Sequence, residues 1–326
     1  LEETADGYTI SNSRIELKFK KDGTMLSWRV DGYDLIKEGA EYCNYRWVEN
    51  DGPTETYNNY APDHGITSKR AAFCLSSDKK KVDVIVDASG RNCNYKFCYV
   101  ISGDGSILLD ASYTVMANAV RRAGMSMVFP AEFEQVEYYA RGPWENYVDR
   151  KDGSMLGRYH TTVSDMFEPY PMPQSMANRE GLRDLTLFDA ASGKGVKVYA
   201  SGDVAFSLLH YSDMQLKEAN HVWELEKGDV HAHFDCAQKG LGNGSCGNVK
   251  TLDKYLVPQG ARYSCSLLFE PFDAAFEGVE EVKRGVLSFG VVDGMLIGEG
   301  ALDCGTAVSV YNMGGVLVAS AVVASD

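Results

Sequence analysis

Residues 15–32 read IELKFKKDGTMLSWRVDG, and this stretch decides the fold class of the chain. Two sets of apolar residues alternate with other side chains on either side of a Lys-Asp-Gly turn at 21–23. The first set is Ile15, Leu17 and Phe19, and the second is Leu26, Trp28 and Val30. Alternation with a period of two is typical of a strand that is buried on one face. The stretch therefore predicts a β-hairpin.

The same alternation recurs along much of the chain. Further strands are predicted at 82–86, 95–101, 107–115, 195–199, 204–209, 230–234 and 262–269. Two long irregular runs, 48–67 and 138–182, are rich in Asn, Pro, Gly and Tyr, and loops of that length usually carry function or form interfaces. Helical periodicity is weak and confined to 165–167 and 276–282. We therefore expect an all-β sandwich of antiparallel strands.

The composition changes near residue 272. From residue 286 onward Gly, Val and Ala dominate, and short strands are predicted at 286–292, 295–297, 308–311 and 315–318. We expect one large β domain over 1–272, followed over 273–326 by a linker and a small, truncated β module.

The charge balance excludes whole classes of partner. The 326 residues contain 32 Lys and Arg against 46 Asp and Glu, a net charge of −14, and no basic stripe. Binding to nucleic acid depends on neutralising many phosphates, so a nucleic-acid partner is excluded. No run reaches about 18 apolar residues, so no membrane span is predicted. The chain starts at Leu1 without Met or a signal-peptide pattern, and we expect an excised piece of a longer protein.

The eight cysteines are spread thinly and never form a Cys-x-x-Cys pair. Neither a zinc site nor a disulfide scaffold is therefore predicted, and we expect buried free thiols. Cys93 and Cys98 are five residues apart, which places them on opposite faces of one strand.

Two motifs have a metal-binding or phosphate-binding appearance. The glycine-rich run at 240–247 precedes residues 252–257, which are predicted as another short strand, whereas a phosphate loop needs a following helix. A glycine-rich turn, or backbone brought close to a ligand, is expected instead. His231 and His233 share one face of a strand, but their spacing implies no third ligand. No metal and no cofactor is predicted for this chain.

The block at 141–150 reads RGPWENYVDR and concentrates aromatic, amide and charged side chains. Aromatic rings stack on the apolar faces of sugars, and amide and charged groups bond their hydroxyls, so the block suits a sugar site. A buried polar network that anchors a long loop is an equal alternative. The residues concerned are Trp144, Glu145, Asn146, Tyr147, Asp149 and Arg150.

A second loop carries Glu49, Asn50 and Asp51 ahead of a Gly-Pro pair. Acidic loop tips are usually solvated turns. Aromatic residues on both sides of this tip, Trp47 and Tyr57 among them, make contact with a ligand the competing interpretation.

Several blocks, taken together and in order, resemble the small-chain domain of family 2 glycoside hydrolases of the β-galactosidase branch. The segment 138–150 is similar to the Gly-Pro-x-Glu-Asn-Tyr-x-Asp-Arg motif of that family. The other matching blocks are 122–124, 163–170, 173–175, 221–225, 240–247 and 261–263. The ordered resemblance extends over about residues 7–272.

The resemblance implies a galactose-mutarotase-like β-supersandwich that lies against a TIM barrel and other domains of a parent enzyme. It also implies that two loops reach a galactoside substrate. One is a lid loop at Glu49, Asn50 and Asp51, and the other is the glycine-rich loop at Ser245 and Cys246. A family member carries a sugar-stacking Trp where this chain has Cys246, and a thiol cannot stack as an indole does.

Catalysis is expected to lie elsewhere. A retaining glycosidase needs two carboxyls about 5–5.5 Å apart, usually on a barrel of about 250 residues with alternating strands and helices. That alternation is absent here, so no catalytic residue is predicted in this chain. The full-length parent would hydrolyse terminal β-galactosides with retention, and this piece alone would be inactive.

Two alternatives stay open at this point. The first is a stand-alone carbohydrate-binding module that uses Trp144, Tyr147 and the Asn50 loop. The second is an aldose mutarotase, although the Asn-x-x-x-His block of those enzymes is not visible. The tail at 294–297 and 308–315 resembles C-terminal sorting modules of secreted bacterial proteins, and an extra Ig-like module is the alternative. A sorting tail would favour a periplasmic or extracellular location over a cytoplasmic one.

Overall fold

The computed structural model describes residues 1–48, 64–118, 120–242, 251–277, 288–292, 295–299, 307–311 and 317–322. The chain divides into two compact units, Leu1–Asp273 and Ala274–Asp326. In the described residues the α-helices are short, α1 at Asp213–Glu218 and α2 at Ala274–Glu277. The predicted all-β fold is confirmed.

The described strands of the first unit form three antiparallel sheets. The five-stranded sheet has the order β1-β2-β3-β4-β5, with β1 Glu2–Glu3, β2 Gly7–Ser11, β3 Ile15–Lys20, β4 Met25–Val30 and β5 Tyr33–Asp34. The four-stranded sheet has the order β16-β17-β11-β6, with β6 Glu38–Cys43, β11 Arg122–Phe129, β16 Ala205–Leu209 and β17 Val230–Gln238. The nine-stranded sheet has the order β13-β12-β14-β15-β18-β10-β9-β8-β7, with β7 Ile66–Leu75, β8 Lys81–Gly90, β9 Cys93–Ser102, β10 Ile107–Val115, β12 Gln135–Gly142, β13 Met155–Thr162, β14 Asp184–Phe188, β15 Lys194–Ser201 and β18 Arg262–Asp273.

The hairpin predicted at 15–32 is present as β3 and β4, and it shows one correction. Ile15, Leu17 and Phe19 are buried as predicted. In β4, however, Leu26 is 46% exposed and Met25 is buried in its place. The register shifts between Lys18 and Phe19, so a β-bulge turns Leu26 to solvent.

The hairpin is attached to the nine-stranded sheet through Trp28. Its ring is fully buried, and its Nε1 donates to the carbonyl of Gly105 at 3.0 Å. Gly105 has a φ of +98°, and a Cβ at this position would lie 2.9 Å from Val30 Cγ2. Glycine is therefore required at the turn that packs against the hairpin.

Among the described residues, most of the core of the first unit is one large apolar cluster to which all three sheets contribute, and Val115, Val120 and Val257 form a small second cluster. Strands β8, β9 and β10 alternate strictly between buried and less buried positions. Such alternation reflects one face on the core and one toward solvent. The predicted strands at 82–86, 95–101 and 107–115 lie within these three elements.

Several stretches differ from prediction. Strand β12 extends to Gly142, so residues 138–142 of the run expected to be irregular are strand. Strand β13 lies inside the run expected to be irregular, and none of its residues is buried because it is an edge strand. Without a buried face it lacks the alternation that identifies a strand. Residues 252–257 are not a strand: Asp253–Tyr255 is a 3-10 turn, and Val257 alone makes an antiparallel bridge, to Val120.

The prediction of buried free thiols is wrong for Cys74, which is exposed, and for one pair that is not free. Cys236 on β17 and Cys265 on β18 form a disulfide that joins the four-stranded and nine-stranded sheets. The two cysteines are 29 residues apart in sequence. The pairing could not be predicted, because the spacing of cysteines does not show which strands become neighbours in the fold. Cys93 is buried and Cys98 is half-buried, on the opposite faces that were predicted.

The described strands of the second unit form two antiparallel pairs. Strand β19, Ser288–Val292, pairs with β20, Met295–Glu299, and β21, Ala307–Tyr311, pairs with β22, Leu317–Val322. Whether this unit serves sorting or is Ig-like stays a prediction. Across the described part of both units, no helix is long and apolar enough to cross a membrane.

Candidate functional site

Glu145 lies in the loop that follows β12 and ties that loop to a distant segment. Its side chain is 7% exposed, and Oε1 accepts hydrogen bonds from Arg150 Nη2 and Tyr170 Oη. Oε2 accepts from the backbone N–H of Ala177 at 3.0 Å. Both carboxylate oxygens are therefore bonded within the protein.

Asn146 is fully buried and organises the same loop. Its Nδ2 donates to the carbonyls of Arg141 at 3.1 Å and Trp144 at 3.0 Å. Its Oδ1 accepts from the backbone N–H of Glu180 at 3.0 Å. Its own backbone N–H donates to Asn178 O at 2.7 Å, and its carbonyl accepts from Asn178 Nδ2 at 2.7 Å. The amide thus bonds in every direction, as a structural residue does.

Tyr147 and Trp144 have opposite environments. Tyr147 is buried, its hydroxyl donates to the Ser175 carbonyl at 3.4 Å, and the Arg150 guanidinium lies 5.0 Å from its ring centroid. Burial raises the pKa of Tyr147, so the phenol is neutral. Trp144 is 74% exposed. An exposed indole is available to a ligand or to another domain.

These contacts favour one alternative for most of the 141–150 block. The polar groups of Glu145, Asn146 and Tyr147 form hydrogen bonds to other parts of the same chain. This arrangement is the one that the interpretation as a buried polar network predicts. The partner segment was missed in the sequence: Arg179 is buried and donates to the carbonyls of Ala177 at 2.7 Å and Pro143 at 2.9 Å. The Asn-Arg-Glu run at 178–180 gave no signal in the sequence, because such residues are mostly exposed and only the structure shows that Asn178 and Arg179 are buried.

Arg46 holds two predicted loops together at their described ends. Arg46 is 1% exposed. It lies two residues before Val48, which is the last described residue ahead of the predicted lid. Its Nη1 donates to the carbonyl of Lys239 and, at 3.3 Å, to Gln238 Oε1, and its Nη2 donates to the Gly240 carbonyl at 3.3 Å. The start of the glycine-rich run is therefore bonded directly to the segment that leads into the lid.

Asp149 approaches the same place from the 141–150 block. Its Oδ2 accepts from the backbone N–H of Gly242 at 3.0 Å. A Cβ on Gly240 would lie 2.5 Å from this oxygen, so only glycine allows the carboxylate so close. Three motif blocks, at 46–48, 141–150 and 239–242, thus meet at one locus.

Trp47 adds a further attachment beside Arg46. Its backbone N–H donates to Ser175 Oγ at 3.1 Å, its carbonyl accepts from the Ser175 N–H at 2.7 Å, and its indole donates to the Pro173 carbonyl at 3.1 Å. The predicted site residues Glu49, Asn50, Asp51, Ser245 and Cys246 lie outside the described residues. The hydrogen-bond network around Arg46 and Asp149 includes Trp47, two residues before Glu49, and Gly242, three residues before Ser245.

A second polar cluster consists of His233, which the sequence analysis singled out, and of Cys43 and Asp213, which were not linked to it in sequence. His233 Nε2 lies 3.3 Å from Asp213 Oδ2, and Cys43 Sγ lies 3.9 Å from the same oxygen. Burial raises the pKa of Asp213, but His233 outweighs that effect and the pKa lies below its ordinary value. Burial also raises the pKa of the Cys43 thiol.

His210, which stood isolated in the sequence, is paired. Its Nε2 lies 2.5 Å from Glu134 Oε2, and its Nδ1 is 2.8 Å from the Gly228 carbonyl. Burial raises the pKa of Glu134, but hydrogen bonds from Ser164 and His210 outweigh burial and lower the pKa below its ordinary value. Both ring nitrogens of His210 therefore have partners within the protein, which is a structural role.

Comparison with known proteins gives the family. The family profile described as beta galactosidase small chain matches residues 11–269. A beta-galactosidase from Streptococcus thermophilus is 26% identical over 264 residues, which cover 78% of this chain and 26% of that protein. A beta-galactosidase from Vibrio cholerae is 25% identical over 260 residues, covering 74% of this chain and 25% of that protein. The chain therefore spans about a quarter of the length of these relatives.

Solved structures similar to this chain include a galactose 1-epimerase from Lactobacillus acidophilus. It is 10% identical with a TM-score of 0.49, and the match covers 81% of this chain and 93% of that one. The family match covers most of the first unit, including the 141–150 block and the residues around Arg46. The chain belongs to the beta-galactosidase small chain family.

Proposed function

We propose that this chain is the non-catalytic small-chain part of a retaining β-galactosidase, and that it supplies two loops to the sugar site of a catalytic TIM barrel outside this chain. The loops are the lid at Glu49, Asn50 and Asp51 and the glycine-rich loop at Ser245 and Cys246. The parent hydrolyses terminal β-galactosides, and its barrel and other domains are the partners of this chain.

One observation carries the proposal. Arg46 bonds the carbonyls of Lys239 and Gly240, so the segments leading into both loops are fixed to each other. Asp149 fixes Gly242 to the same locus. Two loops that must contact one substrate need a common rigid support, because a small displacement of a positioning group weakens catalysis strongly.

The first experiment measures hydrolysis of an aryl β-galactoside in the parent enzyme carrying Asn50→Ala or Asp51→Ala. A lid that closes over substrate predicts a higher KM or a lower kcat, because closure orders the bound sugar. Unchanged kinetics in both variants would assign this loop to structure alone.

The second experiment tests the support itself. Arg46→Lys in the parent keeps the charge but removes the fork that bonds two carbonyls at once, and we expect kcat/KM to fall about tenfold or more. Arg158→Lys is the matched control, because Arg158 lies on the edge strand β13 with its side chain 68% exposed and pairs there with Asp184. Equal activity of the two variants would remove the argument from Arg46.

A stand-alone carbohydrate-binding module is the second candidate, and the exposed Trp144 ring favours it. Titration calorimetry of the chain with galactosides and plant oligosaccharides separates the candidates. The small-chain proposal predicts only very weak binding without the barrel. Clear binding that disappears in Trp144→Ala would favour the module.

A further inference from the structure

Cys43, Asp213 and His233 come together from three separate elements of the four-stranded region. Cys43 is the last residue of β6, His233 lies on β17, and Asp213 is the first residue of α1. None of the three takes part in the loop support around Arg46. Their side chains offer one sulfur, one oxygen and one imidazole nitrogen, all within 4.8 Å of one another.

The spacing of these atoms is that of a metal coordination shell. Tetrahedral zinc with bonds of about 2.0–2.3 Å places its ligand atoms roughly 3.3–3.7 Å apart. The nitrogen and the oxygen are 3.3 Å apart and the sulfur and the oxygen are 3.9 Å apart. The third separation, from the sulfur to the imidazole nitrogen, is at most 4.8 Å, so the three ligand atoms are close enough to share one ion after a modest inward shift of the Cys43 side chain.

The buried charges around the cluster suit a divalent cation. Asp235 and Arg122 are almost fully buried beside it, 3.7 Å apart. With His233 in the neutral form that binds a metal, Asp213, Asp235 and Arg122 carry a net charge of −1, and a Cys43 thiolate brings the set to −2. Charges removed from water need compensation of opposite sign, and one divalent ion gives it.

Room for the cluster comes from Gly124 on β11, between β6 and β17. Gly124 pairs with Cys43 on one side and Asp235 on the other, and a Cβ there would lie 2.0 Å from Asp235 Oδ1. The absent side chain leaves this face of the sheet to the polar groups. Two of the three cluster residues, Asp213 and His233, also line a small pocket, together with Arg122, Ser207, Tyr211 and His231 among others.

We propose that Cys43, Asp213 and His233 bind a zinc ion, with the fourth position open to water in the pocket. Sulfur, nitrogen and oxygen donors in a tetrahedral arrangement suit zinc better than the harder magnesium or calcium ions. On binding, the Cys43 thiol releases its proton to solvent as the sulfur–zinc bond forms, and no redox partner is needed. The sequence did not suggest these three residues as a set, because Cys43 and Asp213 are remote in sequence from the His231/His233 pair.

The test is metal content of the untagged 326-residue chain after chelator treatment, dialysis against zinc chloride and removal of free zinc. One zinc per chain is expected by mass spectrometry of the metal. Cys43→Ser and Asp213→Asn, which keep size, should each weaken zinc affinity more than about tenfold. Cys74→Ser removes an exposed free thiol outside the cluster and should leave the zinc content and the zinc affinity unchanged.

A spectroscopic arm keeps the test valid if a variant does not fold. Cobalt(II) substituted into the wild-type chain should give tetrahedral visible bands and a thiolate-to-cobalt charge-transfer band, both competed away by zinc. Absence of zinc and of these bands in the wild-type chain would overturn the proposal. So would zinc content in Cys43→Ser equal to that of the wild type.

Discussion

Replacing Asn146 by Ala tests whether the 141–150 block is a structural network. The substitution deletes two donors to carbonyls and one acceptor for the Glu180 N–H, with distances of 3.0–3.1 Å. The residue is fully buried, so water cannot restore these bonds without entering the loop. A typical hydrogen bond contributes about 1 kcal/mol net, and an orphaned buried partner costs about 1–3 kcal/mol. We expect the free energy of unfolding to fall by about 3–5 kcal/mol.

The measurement is thermal and urea unfolding of the chain followed by circular dichroism. A chain of this size loses about 2–4 °C of melting temperature per kcal/mol, so Asn146→Ala should melt roughly 6–20 °C lower. Asn146→Asp keeps the shape but directs a carboxylate at two carbonyl oxygens, and it should be at least as destabilising.

Trp144→Ala is the matched control in the same loop. Its ring is 74% exposed, so its removal should change stability by less than about 0.5 kcal/mol. If Asn146→Ala were as stable as the wild type, the network reading of this block would be refuted.

Three further changes probe the fold. Cys236→Ser removes the disulfide between the two sheets, which are joined across a sequence separation of 29 residues. Because the unfolded chain gains conformational entropy without this cross-link, the free energy of unfolding should fall by about 3–4 kcal/mol, measured by urea unfolding with and without reductant. Because the folded-state pKa of Glu134 is depressed, its stabilising effect is present above the ordinary glutamate pKa of about 4.3 and is lost as pH falls below it. Glu134→Gln should therefore show a flatter melting temperature between pH 6 and pH 3, and a slope equal to that of the wild type would contradict the pairing. Gly105→Ala places a methyl 2.9 Å from Val30 Cγ2 and should cost about 1–3 kcal/mol more than Gly32→Ala, which has a similar positive φ in open space. Equal melting temperatures for the two alanine variants would contradict this packing.

Local alternation predicted many of the strands that bury one face, although β12, with Val136, Tyr138 and Ala140 buried, was not predicted. Ile15, Leu17 and Phe19 are such a case, since each sits on the core side of β3. The failures have local physical causes. A bulge exposes Leu26, and the edge strand β13 has no buried face from which to read a pattern.

The site was less predictable because its contacts join remote segments. The 141–150 block was visible as a cluster of chemistry, but its partners Arg179 and Glu180 lie about thirty residues later. Arg46 gave no signal at all, since its bonds to residues 238–240 span more than 190 positions. The disulfide between Cys236 and Cys265 depends likewise on which strands of two sheets become neighbours.

The central claim is that this chain supplies support and loops to a β-galactosidase while its catalytic carboxylates lie elsewhere. The most direct test is hydrolysis of an aryl β-galactoside by the pure 326-residue chain, produced in a host without endogenous β-galactosidase. The account predicts no turnover by this chain alone, and turnover by the full-length parent in the same assay. Steady hydrolysis by the isolated chain, abolished by substitution of its own carboxylates, would contradict the account.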